Sequence, residues 1–309
     1  MPQHLMAAFA VLALFNEQNA TRDGQGSITG LSYSASWITD SELPPLQQFP
    51  KLSVLDLSYT RITDRGFAQL KGLKNISNLN LYYAELIGDG ALAALRGWGH
   101  LRTLNLRGTK VTDAGLAHLA GMTTLESIDV GFSLFTDNGF EALTAIPNLK
   151  SIAVGGNKLS DLGLSAVRRM PNLVSLDLSG SQRTDSGMWA ATITDRGLES
   201  IATLRKLQNL NLHNSKITDT GMPLLAPLIE LRTLDLGGTP ISPKGLTVLK
   251  KFGKLEKLTL WKTSKIDDDA VGTLVEMKSL LWLDLKETKV SEAGMERLRA
   301  ALPKCEIVR

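Results

Sequence analysis

The chain has 309 residues, of which 43% are hydrophobic, and its formal net charge at pH 7 is +3. This hydrophobic fraction is enough for a continuous core, and so small a net charge does not by itself indicate nucleic-acid binding. The single cysteine, Cys305, excludes an intramolecular disulfide bond. A reducing compartment fits this cysteine count but is not required by it, because secreted repeat proteins can also lack disulfides.

Residues 1–27 precede the regular part of the chain and contain one apolar run, Leu5–Phe15, which is too short to span a bilayer. Two interpretations remain open. A signal peptide has an apolar segment of this length, but no Lys or Arg precedes the run and no A-x-A cleavage site follows it. Alternatively, residues 1–27 form a capping helix and turn that cover the first repeat. We favour the cap and a cytoplasmic location; a secreted location follows if residues 1–20 act as a signal peptide.

From residue 28 onwards the sequence repeats one pattern, seen clearly in Leu101–Thr124. Leu104 and Leu106, at positions 4 and 6 of the repeat, have the two-residue spacing of a β-strand, whereas Leu116 and Leu119 have a spacing that suits a short helix or 3₁₀ turns. One strand and one short helix cannot enclose a core. Each repeat must therefore stack on its neighbours.

Eleven repeats follow this template. They begin at Ile28, Leu52, Ile76, Leu101, Leu125, Leu149, Leu173, Leu207, Leu231, Leu255 and Leu280. Position 13 is acidic in ten of them, and Pro243 is the exception. The acids are Asp40, Asp64, Asp89, Asp113, Asp137, Asp161, Asp195, Asp219, Asp268 and Glu292. An acid at this position favours a helix N-terminus, where Thr112 or Asp113 can also cap the helix.

The pattern LxxLxLxxT…ITDxGLxxLxxL, also clear in Leu207–Met222, resembles the leucine-rich repeat family, in the form of bacterial members and the repeat arms of F-box-type adaptors. The resemblance covers roughly residues 28–309. It implies an α/β leucine-rich repeat solenoid of about eleven repeats, a curved horseshoe with a parallel concave β-sheet and short helices on the convex side. We predict one domain, in which residues 1–27 form the cap, 28–304 the repeats and 305–309 a closing strand, with Cys305 in a core position.

The repeat that begins at Leu173 has about ten extra residues, Gln182–Ala191. Because they directly follow the predicted strand, we expect a loop that projects from one rim of the sheet. The loop is either a slipped duplication without a role or a recognition loop with Arg183 and Trp189 as contacts. Insertions in repeats often mark the binding face, and both interpretations stay open.

Positions 3, 5, 7 and 8 of each repeat are expected on the concave side of the sheet, because positions 4 and 6 point into the core. Large side chains at such positions are candidate contacts, since Tyr, Trp and Arg dominate interface energies. In the N-terminal half they are Tyr59, Tyr82, Tyr83, Arg107 and Phe132. In the C-terminal half they are His213, Trp261, Trp282 and Lys286.

Catalytic and metal-binding patterns are not found. The four histidines occupy unrelated positions of the repeat, and no Cys and His pair has metal-ligand spacing. Asp267–Asp269 lacks the glycine and the distal glutamate of a calcium loop, so we interpret it as helix capping. There is no G-x-S-x-G nucleophile elbow. We predict a protein that is not an enzyme and has no cofactor and no metal.

The sequence therefore predicts a non-catalytic recognition module that binds a protein or peptide on the concave face and the 182–191 rim loop. We expect a monomer with no nucleic-acid partner and no membrane span. Two alternatives remain. One is a substrate-selecting adaptor or effector arm that acts with a separate enzyme, and the other is a scaffold without a specific ligand.

Overall fold

The computed structural model describes residues 19–309. The predicted N-terminal capping helix, like the alternative signal peptide, falls mainly on residues 1–18, outside the described residues. Contacts divide the chain into two compact units, Met1–Leu149 (unit 1) and Lys150–Arg309 (unit 2). In a stack of repeats each repeat contacts mainly the repeats next to it, so residues far apart in the sequence share few contacts. The domain boundaries at residues 27 and 304 remain a prediction.

Unit 1 contains short strands numbered in chain order. They are β1 (Ala20–Arg22), β2 (Ile28–Ser32), β3 (Val54–Asp56), β4 (Asn78–Asn80), β5 (Thr103–Asn105) and β6 (Ser127–Asp129). β1 pairs antiparallel with β2, and β2 to β6 then pair in parallel, each with the next. In every repeat of unit 1 the parallel strand includes positions 3 to 5, as the leucine spacing predicts.

Unit 2 continues the same pattern with one interruption. Its strands are β7 (Ser151–Ala153), β8 (Ser175–Asp177), β9 (Ser181–Thr184), β10 (Gly187–Ala190), β11 (Asn209–Asn211), β12 (Thr233–Asp235), β13 (Lys257–Thr259), β14 (Trp282–Asp284) and β15 (Glu306–Val308). β7, β8 and β11 to β15 form consecutive parallel pairs. β9 and β10 form a separate antiparallel hairpin. The inserted residues therefore lie outside the parallel pairing, and β8 and β11, which precede and follow them, still pair in parallel.

Short helices follow the strands. The α-helices are α1 (Asp64–Phe67), α2 (Asp89–Ala94), α3 (Asp113–Ala117), α4 (Asp137–Leu143), α5 (Asp161–Leu164), α6 (Asp195–Ile201), α7 (Val271–Leu274) and α8 (Glu292–Ala301). Turns of 3₁₀ helix span Asp40–Glu42, Pro44–Gln48, Ala68–Leu70, Ser165–Arg169, Met222–Leu225, Gly245–Lys251 and Asp268–Ala270. The hydroxyl of Thr112 accepts a hydrogen bond from the Ala114 backbone at 3.3 Å, so this residue caps α3 as predicted.

The core lies between the strands and the helices of each unit. The residues at positions 4 and 6, such as Leu104 and Leu106, and those on the helices, such as Leu116, are fully buried. The residues at positions 3 and 5, such as Thr103 and Asn105, are exposed or half-buried. We call the side of the strands that carries positions 3, 5 and 7 the open sheet face. The predicted fold, a leucine-rich repeat solenoid with a parallel sheet and short helices, is confirmed.

A ladder of carboxylates joins successive repeats. In most repeats the Asp at position 13 accepts hydrogen bonds from the backbone N–H and the hydroxyl of the Thr or Ser at position 12 of the next repeat, whereas Asp64 accepts from the backbone N–H groups of Gly88 and Gly90. These pairs are Asp40–Thr63, Asp89–Thr112, Asp113–Thr136, Asp161–Thr194, Asp195–Thr218, Asp219–Ser242 and Asp268–Ser291. Asp161–Thr194 spans the inserted hairpin, so the insertion leaves the ladder intact. Each of these acids thus accepts hydrogen bonds from the next repeat and also favours the N-terminus of its own helix.

The placement of Cys305 differs from the expectation. β15 aligns Glu306 with Trp282, which puts Cys305 beside Leu281 at position 2 rather than at a core position. Its thiol is only partly buried. The short link between α8 and β15 sets this register, and no spacing in the sequence indicates it. In residues 19–309, no helix has both the length and the apolar character needed to cross a lipid bilayer.

Candidate functional site

The polar residues at position 5 turn the chain at the end of each strand. The side-chain oxygen of Asn80 accepts from the backbone N–H of Tyr82 at 3.1 Å, and that of Asn105 accepts from Arg107 at 3.0 Å. In unit 2, Asn211 does the same for His213 at 3.1 Å. Such a local bond mimics a backbone turn. The column of Asp and Asn residues therefore orients the residues at position 7, which are the candidate contacts.

Position 8 has a positive φ in every repeat. Glycine occupies it in four repeats, but Tyr59, Tyr83 and Phe132 adopt φ values of 55°, 50° and 53°. The left-handed region disfavours side chains by roughly 1–2 kcal/mol per residue. Because the same φ recurs in every repeat, the turn of the repeat sets it, and bulky residues in this conformation are held by their surroundings. The turn aims these aromatic side chains away from the core.

Three predicted residues form a tyrosine cluster on unit 1, made of Tyr59, Tyr82 and Tyr83. The rings of Tyr59 and Tyr83 are stacked, with centroids 5.8 Å apart and planes at 13°. Tyr82 meets both rings edge-on, at 5.2 Å and 4.7 Å. Tyr59 is 53% exposed. Mutual packing fixes the three rings, so the cluster is a preformed aromatic surface.

Arg107 and Phe132 form a second contact on the same unit. The guanidinium carbon of Arg107 lies 4.4 Å from the centre of the Phe132 ring, a cation–π geometry. Its Nη1 lies 3.6 Å from Oδ1 of Asp129. At the end of β3, in the repeat of Tyr59, the Asp56 carboxylate accepts from the Ser58 backbone at 2.9 Å. The charges near the aromatic rings of unit 1 are thus engaged by other groups of the protein.

In unit 2, His213 and Trp261 stack although they are two repeats apart. Their rings lie 5.3 Å apart with planes at 9°. The residue at the same position of the intervening repeat is Gly237, and a Cβ there would lie 2.5 Å from Nδ1 of His213. The glycine therefore makes room for the stack. The indole of Trp261 also donates to Oε1 of Glu287 at 3.0 Å.

Lysines lie over the rings of both tryptophans in this part of unit 2. The amino group of Lys262 lies 4.3 Å from the Trp261 ring centre, and that of Lys257 lies 4.4 Å from Trp282. A shallow cavity of about 250 Å³ on the open sheet face of unit 2 includes Lys257, Asp177 and Asp235 in its lining. Sequence reasoning missed both lysines, although they occupy positions 3 and 8 of their repeat, which are candidate positions.

The inserted residues form a hairpin instead of an irregular loop. Its turn is closed by Thr184, whose hydroxyl donates to the carbonyl of Gly187 at 3.1 Å. Arg183 pairs with Met188, and Trp189 pairs with Gln182. Adjacent pairs of a hairpin point to opposite faces, so the two predicted contacts, Arg183 and Trp189, do not share a face. Met188, which is 67% exposed, accompanies Arg183 and was not predicted.

Among the described residues, no group of three His, Cys, Asp or Glu side chains is placed to hold a metal ion. Asp267, at the start of the acidic run in the repeat that begins at Leu255, accepts from the Asp269 backbone at 3.1 Å. Asp268 accepts two bonds from Ser291. These contacts fit the predicted capping role of the acidic run.

Proteins of known structure share this architecture. No curated protein sequence matches the chain. Among solved structures, an internalin from Listeria monocytogenes is similar with a TM-score of 0.59 and 21% identity, over 97% of this chain and 93% of that one. A structure described as a TDR receptor is similar with a TM-score of 0.54 and 15% identity, over 84% of this chain and 47% of that one. At these identities the likeness concerns the fold alone.

A family profile described as a leucine-rich repeat region matches residues 32–305. This range includes the repeats of both units, the ladder of carboxylates and the inserted hairpin. The chain belongs to the leucine-rich repeat family.

Proposed function

We propose that this protein is a non-catalytic recognition module that binds a protein or peptide through its open sheet face. Leucine-rich repeat proteins commonly act in protein–protein interaction, and the family and fold are typically non-catalytic. The observation that carries the proposal is the tyrosine cluster, Tyr59, Tyr82 and Tyr83, in which each ring contacts the other two. Because the rings are already ordered, binding loses little side-chain entropy.

The charged side chains near the aromatic rings of unit 1 already interact with other groups of the protein. We therefore infer a partner that binds by covering the aromatic rings rather than by ionic contacts. Asp129 is close to Arg107, and Asp56 accepts from the Asn80 amide at 3.0 Å as well as from the Ser58 backbone. The phenol groups of the cluster lie beside apolar rings, and those of Tyr59 and Tyr82 interact with each other. Tyrosine combines these two properties and is enriched at interface hot spots.

The rim hairpin and the His213–Trp261 stack of unit 2 are the further contacts of this proposal. The hairpin offers Arg183 and Met188 on one face. The stack offers a flat aromatic surface with the adjacent cation of Lys262. Trp189 lies on the other face of the hairpin, and either face can contact a partner.

The experiment starts with identification of a partner and ends with purified components. A photo-reactive amino acid at position 82 captures the partner, which mass spectrometry identifies, and calorimetry then measures its Kd. The variant Tyr59→Ala/Tyr82→Ala should weaken binding by about 30-fold, which corresponds to about 2 kcal/mol for a hot spot. Trp37→Ala is the matched control, because Trp37 is 84% exposed and lies outside the strands.

Two further variants separate the parts of the surface. Trp261→Ala/Trp282→Ala tests the unit 2 face, and Met188→Ala compared with Trp189→Ala tests which face of the hairpin is used. An unchanged Kd in the tyrosine variant and in the tryptophan variant would reject the open sheet face as the binding surface.

A further inference from the structure

A cavity of about 430 Å³ lies in unit 1 among the segments that follow α2 and α3. Arg96, Trp98 and His118 contribute to its lining, and none of the lining residues belongs to a strand. The cavity is therefore separate from the surface proposed above for a protein partner. Its volume is in the range of small-molecule sites, roughly 300–1,000 Å³.

The polar groups of this cavity are mainly hydrogen-bond donors. Nη2 of Arg96 lies 2.9 Å from Nδ1 of His118. A guanidinium group can only donate, so Nδ1 of His118 is the acceptor and the ring proton lies on Nε2. The lining contains no Asp or Glu. Arg96 thus keeps a positive charge at the cavity without a carboxylate beside it, and His118 adds a second donor.

Trp98 adds a buried donor that lacks an acceptor. It is 2% exposed, and its Nε1–H has no hydrogen-bond partner among the described residues. The equivalent position of other repeats holds Leu73, Met122, Ile146 or Phe252, which have no side-chain N–H. A buried donor left without an acceptor costs about 1–3 kcal/mol. Trp98 is thus the one residue at this position of the described repeats that carries a side-chain N–H, and it lines the cavity.

The space in the cavity is not filled by side chains. A Cβ added at Gly97, Gly99 or Gly121 would meet no heavy atom within 4 Å. Gly97 and Gly121 have φ values of +88° and +78°, a conformation that larger residues rarely adopt. These three glycines are exposed, so the cavity opens to solvent beside them and a ligand can approach Arg96 and His118.

We propose that this cavity binds an oxyanion, a carboxylate or a phosphate group carried by a small molecule. The guanidinium of Arg96 and the Nε2–H of His118 donate to the oxyanion, and the buried ring of Trp98 lies beside the bound ligand. The uncharged part of the ligand packs against Ala117, Ala120 and Met122, which also line the cavity. The proposal does not depend on the protein-recognition function.

The test follows the indole N–H signals of the tryptophans by ¹H–¹⁵N NMR. Trp98→Phe identifies the Trp98 signal and should fold, because Phe252 holds the equivalent position of another repeat. The probes are inorganic phosphate, benzoate and, as a cation of similar shape to benzoate, benzylamine, all at constant ionic strength. We expect phosphate or benzoate to shift the Trp98 signal with saturation, and benzylamine to leave it in place. A response to phosphate alone identifies a phosphate site, and a response to benzoate alone a carboxylate site.

Two arginine variants complete the experiment. Arg96→Gln should raise the Kd of the active probe by about tenfold, as expected for loss of one charge-assisted hydrogen bond. Arg65→Gln removes the same charge from α1 of the same unit, outside the cavity lining, and should leave the Kd unchanged. The proposal is wrong if neither anion shifts the Trp98 signal, if benzylamine shifts it equally, or if the two variants have the same Kd.

Discussion

Asp113 and Thr136 lie one repeat apart and are joined by two hydrogen bonds. Oδ2 of Asp113 accepts from the Thr136 hydroxyl at 2.8 Å, and Oδ1 accepts from the Thr136 backbone N–H at 2.7 Å. The backbone N–H of Gly139 donates to the same carboxylate at 2.9 Å. The acid of one repeat thus satisfies free N–H groups at the start of the next repeat's helix, which binds neighbouring repeats together.

Replacement of Asp113 should therefore destabilise the protein beyond the loss of a surface charge. We expect Asp113→Ala to lower the free energy of unfolding by about 2 kcal/mol, because three donors lose a charged acceptor. Chemical denaturation measures this value. The control is Asp185→Ala, which removes an exposed acid from the turn of the hairpin and should change stability by less than about 0.5 kcal/mol. Equal effects of the two variants would contradict a stabilising role of the ladder.

The carboxylate of the preceding repeat explains why glycine occupies position 15. A Cβ on Gly115 would lie 2.2 Å from Oδ1 of Asp89. The ladder is interrupted between the repeats that begin at Leu231 and Leu255. There Pro243 replaces the acid, Asp267 replaces the Thr or Ser that donates to it, and Ala270 replaces the glycine. Alanine stands at this position at Ala270, where no carboxylate precedes it, and at Ala91, where the Asp64 carboxylate accepts from the backbone N–H groups of Gly88 and Gly90 instead.

Gly115→Ala should accordingly lower the free energy of unfolding by about 1–3 kcal/mol through overpacking. In the Asp89→Ala background the same substitution should cost clearly less, because the oxygen that it meets is gone. A double-mutant cycle by urea denaturation measures this coupling. Additive effects of the two substitutions would contradict the steric explanation.

Acid should weaken the ladder. Hydrogen bonds from the Ser291 hydroxyl and backbone lower the pKa of Asp268 from its ordinary value of 3.8. A carboxyl group with a lowered pKa in the folded state contributes stability above its unfolded pKa, and this contribution is lost as the pH falls through the folded pKa. Asp268→Asn should therefore make the denaturation midpoint less sensitive to pH below about 4. Midpoints measured at pH 6 and pH 3 test this, and an identical pH sensitivity in both proteins would refute it.

Gly237→Ala probes the stack of His213 and Trp261. The new methyl group would meet Nδ1 of His213 at 2.5 Å and the carbonyl of Trp261 at 3.0 Å, so we expect the rings to separate. The near-UV circular dichroism of the tryptophans should change, and stability should fall by about 1–3 kcal/mol. If this stack contacts a partner, the Kd should rise as well. Gly24→Ala is the control, since a Cβ there meets nothing within 4 Å.

The repeated pattern was sufficient to place the secondary structure. The spacing of Leu104 and Leu106 located the strand in each repeat, and Thr112 marked the start of its helix. The same pattern predicted which residues line the open sheet face. It did not predict that the inserted residues form a hairpin or that Arg183 and Trp189 lie on opposite faces, because pairing register depends on the turn at Asp185–Gly187.

The sequence by itself determined the number of repeats, the position of each strand and the existence of a core, because these follow from local spacing that recurs along the chain. Only the tertiary structure decided which side chains meet. The tyrosine cluster, the stack across Gly237 and the donors around Trp98 join residues of different repeats, and their distances depend on how neighbouring repeats pack. Spacing within one repeat carries no information about that packing, since a contact between repeats depends on two turns and the side chains of both.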